Sequence, residues 1–233
     1  MKLLAIDTSS LTATVALLDG DRLIGEYTLN HKMNHSQKLM PMIEELLNSC
    51  NTKPGEIDVF AVSLGPGSFT GLRIGIATMA AMAQALDKNV VGVPTLEALA
   101  YNLFNIKGLI CPIIDAQKDL VYTALYQWTD GNMVEIMEQQ VIKIDKLISM
   151  LKEKSEKIFF IGDALERFSS NLEDGLGQQF AVPPFKFLIP SASSVAGVAR
   201  IKLEKGIKTD IIPIYMRKSE AEVQYEKRMK GSE

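Results

Sequence analysis

The sequence has few of the residues that build covalent or metal-based frameworks. Its two cysteines, Cys50 and Cys111, stand alone and lack the C-x-x-C spacing of a zinc or redox site. This excludes a disulfide scaffold and indicates reduced thiols, as in a cytosol. No apolar run reaches the roughly 18 residues that span a bilayer, and Asp7 interrupts the first one. We therefore expect no signal peptide, no membrane contact and a cytoplasmic protein.

Neither positive nor negative charge is in large excess. The 25 Lys and Arg residues are offset by 28 Asp and Glu residues, which leaves a formal net charge of −3. No global basic field would attract nucleic acid, so an RNA substrate would need positive surface from another chain. At 233 residues, 47% hydrophobic and 23% charged, the composition is typical of a soluble globular protein with one large core or two small domains.

A glycine-rich segment, residues 65–75, lies at the centre of the chain's organisation. An apolar, β-branched run (57–64) precedes it and helix formers (76–86) follow it, which predicts a strand, a turn capped by Ser68 or Thr70, and a helix. The segment lacks the Gly-Lys-Ser/Thr of a P-loop and misses G-x-G-x-x-G spacing by one residue. A tight structural turn and an anion-binding helix start therefore both stay open. Arg73 opposes the helix macrodipole at a cost of about 0.3–1 kcal/mol, which favours a role outside the helix.

A polar turn with an aspartate occurs near the start of each half. Asp7-Thr8-Ser9-Ser10 separates the predicted strands 2–6 and 12–18, and Asp115-Ala116 separates strands 109–114 and 120–128. In the first turn, hydroxyl and N–H groups are suited to wrap a phosphate, with Asp7 holding a metal or a water. An ordinary polar β-turn is an equal alternative.

The two histidines have the H-x-x-x-H spacing that can place two imidazoles on one helical face for a metal. Here, however, His31 and His35 fall before or across a helix start, and neither has a neighbouring glutamate. A loop histidine and a capping histidine are therefore favoured, and no metal site is predicted.

Two helices are rich in methionine and small residues. The first is predicted over 34–48 with Asn34 as its cap, and the second over 72–86. Core burial is the ordinary interpretation of their apolar positions, yet such helices also make adaptable partner surfaces. The other predicted elements are strands 22–29, 90–93 and 157–161, helices 96–104 (Thr95 as cap), 142–154 and 193–204, a loop over 168–187, an extended piece over 211–217 and a charged, frayed or solvated tail from 219.

The two halves follow one plan, which resembles the actin-like and sugar-kinase-like ATPases. The resemblance implies an α/β fold of two actin-like (ASKHA) domains with mixed central sheets, the second reduced: residues 1–104, 105–217 and a charged tail, 218–233. It implies that Asp7, Thr8 and Ser9 form a first phosphate turn, that Asp115 belongs to a second, and that 161–164 is a worn adenosine loop. The second turn lacks a glycine and the third lacks paired glycines, so we do not expect tight ATP binding by this chain alone.

Four stretches of the sequence narrow the resemblance from the superfamily to a single family. Residues 1–9, 63–75, Asp115-Ala116 with Val121-Tyr122, and 213–217 are similar to the TsaB (YeaZ) family. The family implies a non-catalytic partner of TsaD, the threonylcarbamoyltransferase that makes threonylcarbamoyladenosine in bacterial tRNA. It also implies a TsaE-type ATPase in a larger complex, indirect tRNA contact, a homodimer without the partner, and no firmly bound cofactor, with ATP or ADP and Mg²⁺ left open at the seam. His31 and His35 do not match the metal histidines of TsaD.

In this family the two helices pack on their counterparts in TsaD. The implied interface residues are Ser36, Leu39, Met40, Ile43, Leu47, Gly71, Arg73, Gly75, Met79 and Met82. On this basis Gly75→Trp is expected to abolish partner binding while leaving the fold nearly intact.

Two rival functions remain open. One is a stand-alone ATPase, small-molecule kinase or metallopeptidase-like enzyme of the same superfamily, which needs a catalytic carboxylate or metal set. For that role the sequence offers Asp7, Asp115 and Asp163 without the supporting glycines. The other is a self-associating scaffold that uses the same two helices.

Overall fold

The computed structural model describes residues 1–31 and 34–217, which form two five-stranded sheets and six helices. Short 3-10 turns at Pro54–Glu56, Gly177–Gln179 and Phe185–Phe187 connect some of the elements. The elements in chain order are β1 (Lys2–Asp7), β2 (Thr12–Asp19), β3 (Arg22–Asn30), α1 (His35–Ser49), β4 (Val59–Gly65), α2 (Phe69–Leu86), β5 (Asn89–Pro94), α3 (Thr95–Tyr101), β6 (Leu109–Asp115), β7 (Leu120–Thr129), β8 (Asn132–Lys143), α4 (Ile144–Leu151), β9 (Ile158–Ile161), α5 (Leu165–Leu176), β10 (Phe180–Ala181) and α6 (Ala192–Glu204).

The two sheets share one topology. The first has the order β3-β2-β1-β4-β5 and the second the order β8-β7-β6-β9-β10. In each sheet three antiparallel strands come first, and two parallel strands follow after helical crossovers. This confirms the two-halved α/β plan with mixed sheets. The last strand of the second sheet has only two residues, in agreement with a reduced second half.

Successive side chains of a strand point to opposite faces of the sheet, so the continuous apolar runs of the central strands place apolar side chains on both faces of the first sheet. Leu4 and Ile6 of β1 point into the core beneath α1 and α2, whereas Leu3 and Ala5 point into the core beneath α6. The second sheet is covered in the same way, by α4 and α5 on one face and by α3 on the other. The molecule is therefore layered as helices, sheet, helices, sheet, helices.

The middle helix layer is shared between the halves. Helix α3 precedes the boundary at residue 104, but its Leu96 and Leu99 pack in the core of the second sheet. Helix α6 lies in the predicted 105–217 domain, but its Val195 and Ala199 pack in a core of the first sheet. Since each half takes a covering helix from the other, the boundary separates the sheets and not the cores.

A carboxylate on β3 fixes the start of α6. Glu26 accepts hydrogen bonds from Ser191 Oγ (2.8 Å), Ser193 N (3.0 Å) and Ser193 Oγ (3.0 Å). A negative charge here also complements the positive end of the helix dipole. Ser191, and not Ser193 or Ser194 as predicted, is the cap, since its side chain accepts from Ser194 N.

Several predicted elements have different bounds or identities. The predicted loop 168–187 contains α5, whose Phe168, Leu172 and Leu176 line one buried face at helical spacing. The predicted helix 142–154 begins later, because β8 continues to Lys143. Thr95 is the first residue of α3 rather than its cap, and the helix ends at Tyr101, before Phe104. The predicted tail from 219 lies outside the described residues.

Candidate functional site

The glycine-rich segment joins β4 to α2 as predicted. Ser68 is the N-cap of α2, and its hydroxyl accepts a hydrogen bond from Gly71 N at 3.2 Å. The preceding Gly65–Pro66 peptide bond is cis. The helix begins at Phe69, three residues before the predicted start, so the segment's second half is the first two turns of α2.

The segment lies directly on the first aspartate turn, residues 7–10. Ser68 N donates to Ser9 O at 2.7 Å, and Thr8 Oγ1 donates to Gly71 O at 2.8 Å. A Cβ atom on Gly71 would be 2.0 Å from Thr8 O, which is closer than any side chain permits. The absence of a side chain at position 71 therefore lets α2 approach the turn, and the segment encloses the turn.

The polar atoms of the first turn are satisfied from within the chain. Asp7, Thr8 and Ser9 are each 1% exposed. Asp7 Oδ1 accepts from Ser9 N (2.8 Å) and Ser9 Oγ (2.7 Å), and its Oδ2 accepts from Ser63 Oγ. Three of the four predicted nucleotide-binding residues thus lie beneath α2, and a phosphate would reach them only if the first turn of that helix moved away.

Burial raises the pKa of the Asp7 carboxyl above its ordinary value of 3.8. Hydrogen bonds from Ser63 and Ser9 and the nearby His35 favour the charged form, but burial is the larger effect. Between pH 3.8 and the folded-state pKa, the folded chain holds a proton that the unfolded chain has released. The contribution of Asp7 to stability is therefore complete below pH 3.8 and is lost as the pH rises through the folded-state pKa.

Asp7→Asn is expected to remove this pH dependence. The wild-type chain should lose free energy of unfolding relative to Asp7→Asn as the pH rises above about 4, because only the wild type must release the buried proton. Urea denaturation of both chains at a series of pH values measures the difference. Asp174→Asn, at an exposed position of α5, is the matched control and should follow the wild type. Parallel curves for the wild type and Asp7→Asn would contradict the buried titration.

The second aspartate turn, residues 115–119, is open by comparison. Asp115 is exposed, and its Oδ1 accepts from Gln117 N at 2.7 Å. Its backbone N donates to Asp163 Oδ1 at 3.0 Å, and Arg167 Nη1 is 3.8 Å from its carboxylate. The turn is thus held by its own half of the chain, and the carboxylate of Asp115 stays partly in contact with solvent.

The two histidines lie at and before the start of α1. His35 is the first residue of α1, and its Nε2 is 2.9 Å from Ser10 O, so the ring links the helix start to the first turn. His31 precedes two residues, Lys32 and Met33, that lie outside the described parts of the chain. Within residues 1–31 and 34–217 no three or more His, Cys, Asp or Glu side chains are grouped to hold a metal ion.

Six of the ten predicted interface residues belong to the core of the monomer, so these assignments are corrected. The exposed fractions of Leu39, Ile43, Leu47 and Met79 are 1%, 1%, 4% and 0%. Gly71 and Gly75 are also buried. These positions form the stripe that each helix packs on the first sheet, because the largest side chains of an amphipathic helix face the core. A second chain cannot contact them without unpacking the helix.

The expectation for Gly75→Trp is corrected as well. A Cβ atom on Gly75 would be 2.4 Å from Thr8 Oγ1 and 3.4 Å from Ile6 Cδ1. An indole here would separate α2 from β1, so the substitution would disrupt the fold and not selectively prevent partner binding.

The outward faces of α1 and α2 carry the other predicted interface residues. Ser36 and Arg73 are exposed, Met40 is 48% exposed and Met82 is half-buried. Length and composition alone would let α2 cross a membrane, a property that core helices of globular proteins share. The exposed stripe of α2, as the term is used below, consists of Thr70, Arg73, Ala77, Ala81 and Gln84.

A cluster near the start of this stripe was not predicted. The rings of Phe69 and Tyr215 are stacked, with centroids 4.3 Å apart and planes 10° apart. Arg73 Nε donates to the Tyr215 hydroxyl at 2.9 Å. The i, i+4 spacing of Phe69 and Arg73 indicates a shared helix face, but no local pattern indicates contact with a residue 142 positions later.

Comparisons with known proteins agree with this architecture. A family model described as TsaD, tRNA N6-adenosine threonylcarbamoyltransferase, matches residues 22–225. The tRNA threonylcarbamoyladenosine biosynthesis protein TsaB of Bacillus subtilis (strain 168) is 36% identical over 225 residues, which cover 97% of this chain and 98% of the relative. YeaZ from Pseudomonas aeruginosa superposes with a TM-score of 0.77 at 26% identity, covering 92% of this chain and 99% of that one.

A more distant likeness concerns the fold alone. The ROK hexokinase from Thermus thermophilus superposes with a TM-score of 0.51 at 9% identity, covering 88% of this chain and 100% of that one. The two-sheet arrangement is thus the actin-like and sugar-kinase-like fold.

Proposed function

Because the chain belongs to the TsaB family of tRNA threonylcarbamoyladenosine biosynthesis proteins, within the wider group that the TsaD model matches, we propose that it is the non-catalytic subunit that binds and activates a TsaD-type threonylcarbamoyltransferase. Membership of this pathway rests on the family itself. The proposal concerns the roles of the two subunits: the partner catalyses the transfer, and this chain binds and activates the partner.

The enclosed first turn is the observation that carries the non-catalytic role. In an ATPase of this fold the turn must present hydroxyl and N–H groups to a phosphate. Here the Asp7 carboxylate, the Thr8 hydroxyl and the Ser9 backbone are bonded to Ser63, Gly71 and Ser68 of the same chain. Binding a phosphate would break these bonds and displace α2 from the core, which opposes turnover by this chain alone.

The outward faces of α1 and α2 are the proposed contact surface. The match to the TsaD model supports pairing between similar chains, because two related folds can present equivalent helices to one another. The same argument allows a homodimer when the partner is missing. The proposal also includes a TsaE-type ATPase in the complex, ATP or ADP with Mg²⁺ at the seam between the partners, indirect contact with tRNA and a cytoplasmic location.

Reconstitution with and without this chain tests the proposal. We expect omission of the chain to lower threonylcarbamoyladenosine formation by the TsaD-type subunit about tenfold or more, a typical size for coupling between bound partners. Mass spectrometry of digested tRNA measures the product. The chain alone should neither modify tRNA nor hydrolyse ATP at an ordinary enzyme rate, about 1 s⁻¹ or faster. Full activity without the chain, or turnover by the chain alone, would contradict the proposal.

A further inference from the structure

A cavity of about 270 Å³ lies between the middle helix layer and the β7–β8 edge of the second sheet. Glu97 of α3 and Lys202 of α6 line one side of it, and Tyr126 of β7 with Glu135 and Gln139 of β8 line the other. Glu135 is exposed, so solvent reaches the cavity beside it. Pockets for drug-sized ligands usually have about 300–1,000 Å³, so this cavity suits a smaller solute.

Two irregularities in β8 place its polar side chains on the cavity side. The register of β8 against β7 shifts twice between Thr123 and Tyr126. Unbroken alternation would put residues 135, 137 and 139 on one face of the sheet. Met137 instead packs in the core on the opposite face, while Glu135 and Gln139 both line the cavity. Bulges of this kind redirect side chains and are common beside binding sites.

The side chains around the cavity leave acceptors without donors. Lys202 Nζ lies 2.9 Å from Glu97 Oε2, so this ammonium neutralises one of the two carboxylates. The Tyr126 hydroxyl donates to Glu135 Oε1 at 3.4 Å, a long hydrogen bond. Gln139 Oε1 is buried and accepts no hydrogen bond from the described residues. One carboxylate charge and one unsatisfied oxygen therefore remain, and such an oxygen costs stability unless a ligand donates to it.

The titration of two lining groups reports the potential inside the cavity. Burial, followed by the charge of Glu97, raises the pKa of the Glu135 carboxyl above its ordinary value of 4.5. Burial, followed by the charges of Glu135 and Glu97, also raises the pKa of the Tyr126 hydroxyl above its ordinary value of 10.0. Both effects show a negative potential, which a bound cation would offset.

We propose that this cavity binds a small primary ammonium ion, whose N–H groups donate to Gln139 Oε1 and to the Glu135 carboxylate. A primary ammonium carries three donors on one atom and so can satisfy both acceptors at once. Met133 and the ring of Tyr126 supply apolar wall for a short alkyl chain. A divalent metal fits less well, because it needs about six oxygen ligands and the Lys202 ammonium would repel it. The inference goes beyond the proposed function, since the cavity lies apart from the outward faces of α1 and α2.

Titration of the purified chain with n-butylammonium chloride tests the proposal. Two-dimensional NMR spectra should show saturable shifts of the backbone amides of Glu135 and Gln139, with a Kd of about 1 mM or below. Gln139→Leu and Glu135→Gln should each raise Kd about tenfold or more, because each weakens a hydrogen bond from a charged donor. Gln140→Leu makes the same change at the next residue of β8, which does not line the cavity, and should leave Kd unchanged.

A matched probe and a stability measurement separate recognition from a structural effect. Tetramethylammonium chloride carries the same charge without an N–H donor, so it should bind about tenfold more weakly or worse. A saturating concentration of n-butylammonium should raise the melting temperature of the wild type. Gln139→Leu alone should not lower the melting temperature, because it removes a buried acceptor that has no partner among the described residues.

Three results would overturn the inference. The first is a wild type that shows no saturable binding of n-butylammonium in the millimolar range. The second is equal binding of tetramethylammonium, or equal binding of n-butylammonium by Gln139→Leu and Glu135→Gln. The third is saturable binding of CaCl₂, and not of n-butylammonium, at the same amides. The proposed function is independent of these results, because reconstitution with the TsaD-type subunit tests it separately.

Discussion

Gly71→Ala is expected to lower the free energy of unfolding by about 3 kcal/mol, the upper end of the usual cost of overpacking. In an ordinary helix the same change is stabilising by up to about 1 kcal/mol, because alanine has the higher helix propensity. Here the new methyl group would be 2.0 Å from Thr8 O. Backbone atoms on both sides prevent a local adjustment, so α2 must move off the first turn and lose the bond from Thr8 Oγ1.

Chemical denaturation of the purified variants measures this effect. Gly55→Ala is the matched control, because nothing lies within 4 Å of the added Cβ atom and the position is exposed. It should change the free energy of unfolding by less than about 0.5 kcal/mol. A neutral or stabilising Gly71→Ala would mean that α2 does not lie on the turn as described, and would remove the observation that carries the non-catalytic role.

Ala77→Trp is expected to weaken binding of the TsaD-type subunit about a hundredfold, or 2.8 kcal/mol as a rough conversion, while the fold stays intact. Ala77 is exposed at the middle of the stripe of α2, where an indole extends into solvent in the monomer. In a packed helix–helix contact the same ring would hold the two backbones apart. The variant replaces Gly75→Trp as the test of this face.

Pull-down and calorimetry with the TsaD-type subunit measure the loss, and circular dichroism with thermal melting reports the fold. Ser170→Trp places the same ring on an exposed position of α5, on the far side of the second sheet, and should bind like the wild type. Equal binding by Ala77→Trp and the wild type would exclude the outward face of α2 from the interface.

The elements near the first sheet were largely predictable from the sequence, because short-range signals determine them. Short apolar runs bounded by polar turn residues give β1 and β2, and the cap at Asn34 gives the start of α1 within one residue. Strand β8 was not predicted, since it is an edge strand with many polar residues and irregular register against β7. Helix α5 was missed even though Leu165, Phe168 and Leu172 have helical spacing, because Pro183-Pro184 suggested a loop over the whole of 168–187.

The contacts that define the candidate site could not be predicted from the sequence, because they join segments that are far apart along the chain. The glycines of α2 were interpreted as a surface for another helix, whereas their role is close approach to Thr8, more than sixty residues earlier. Arg73 was recognised as unusual from the macrodipole argument. Its contact with Tyr215 depends on the path of residues 207–217, which no local pattern specifies.

The exchange of covering helices between the halves has a consequence for biosynthesis. The strands of the first sheet are complete once residue 94 has been made, but Ala192, Val195 and Ala199, which close one of its faces, come about a hundred residues later. A nascent chain on the ribosome therefore carries an apolar sheet face that stays without its α6 cover until residues 192–204 have been made. A helix that is synthesised late thus completes the core of strands that are synthesised early.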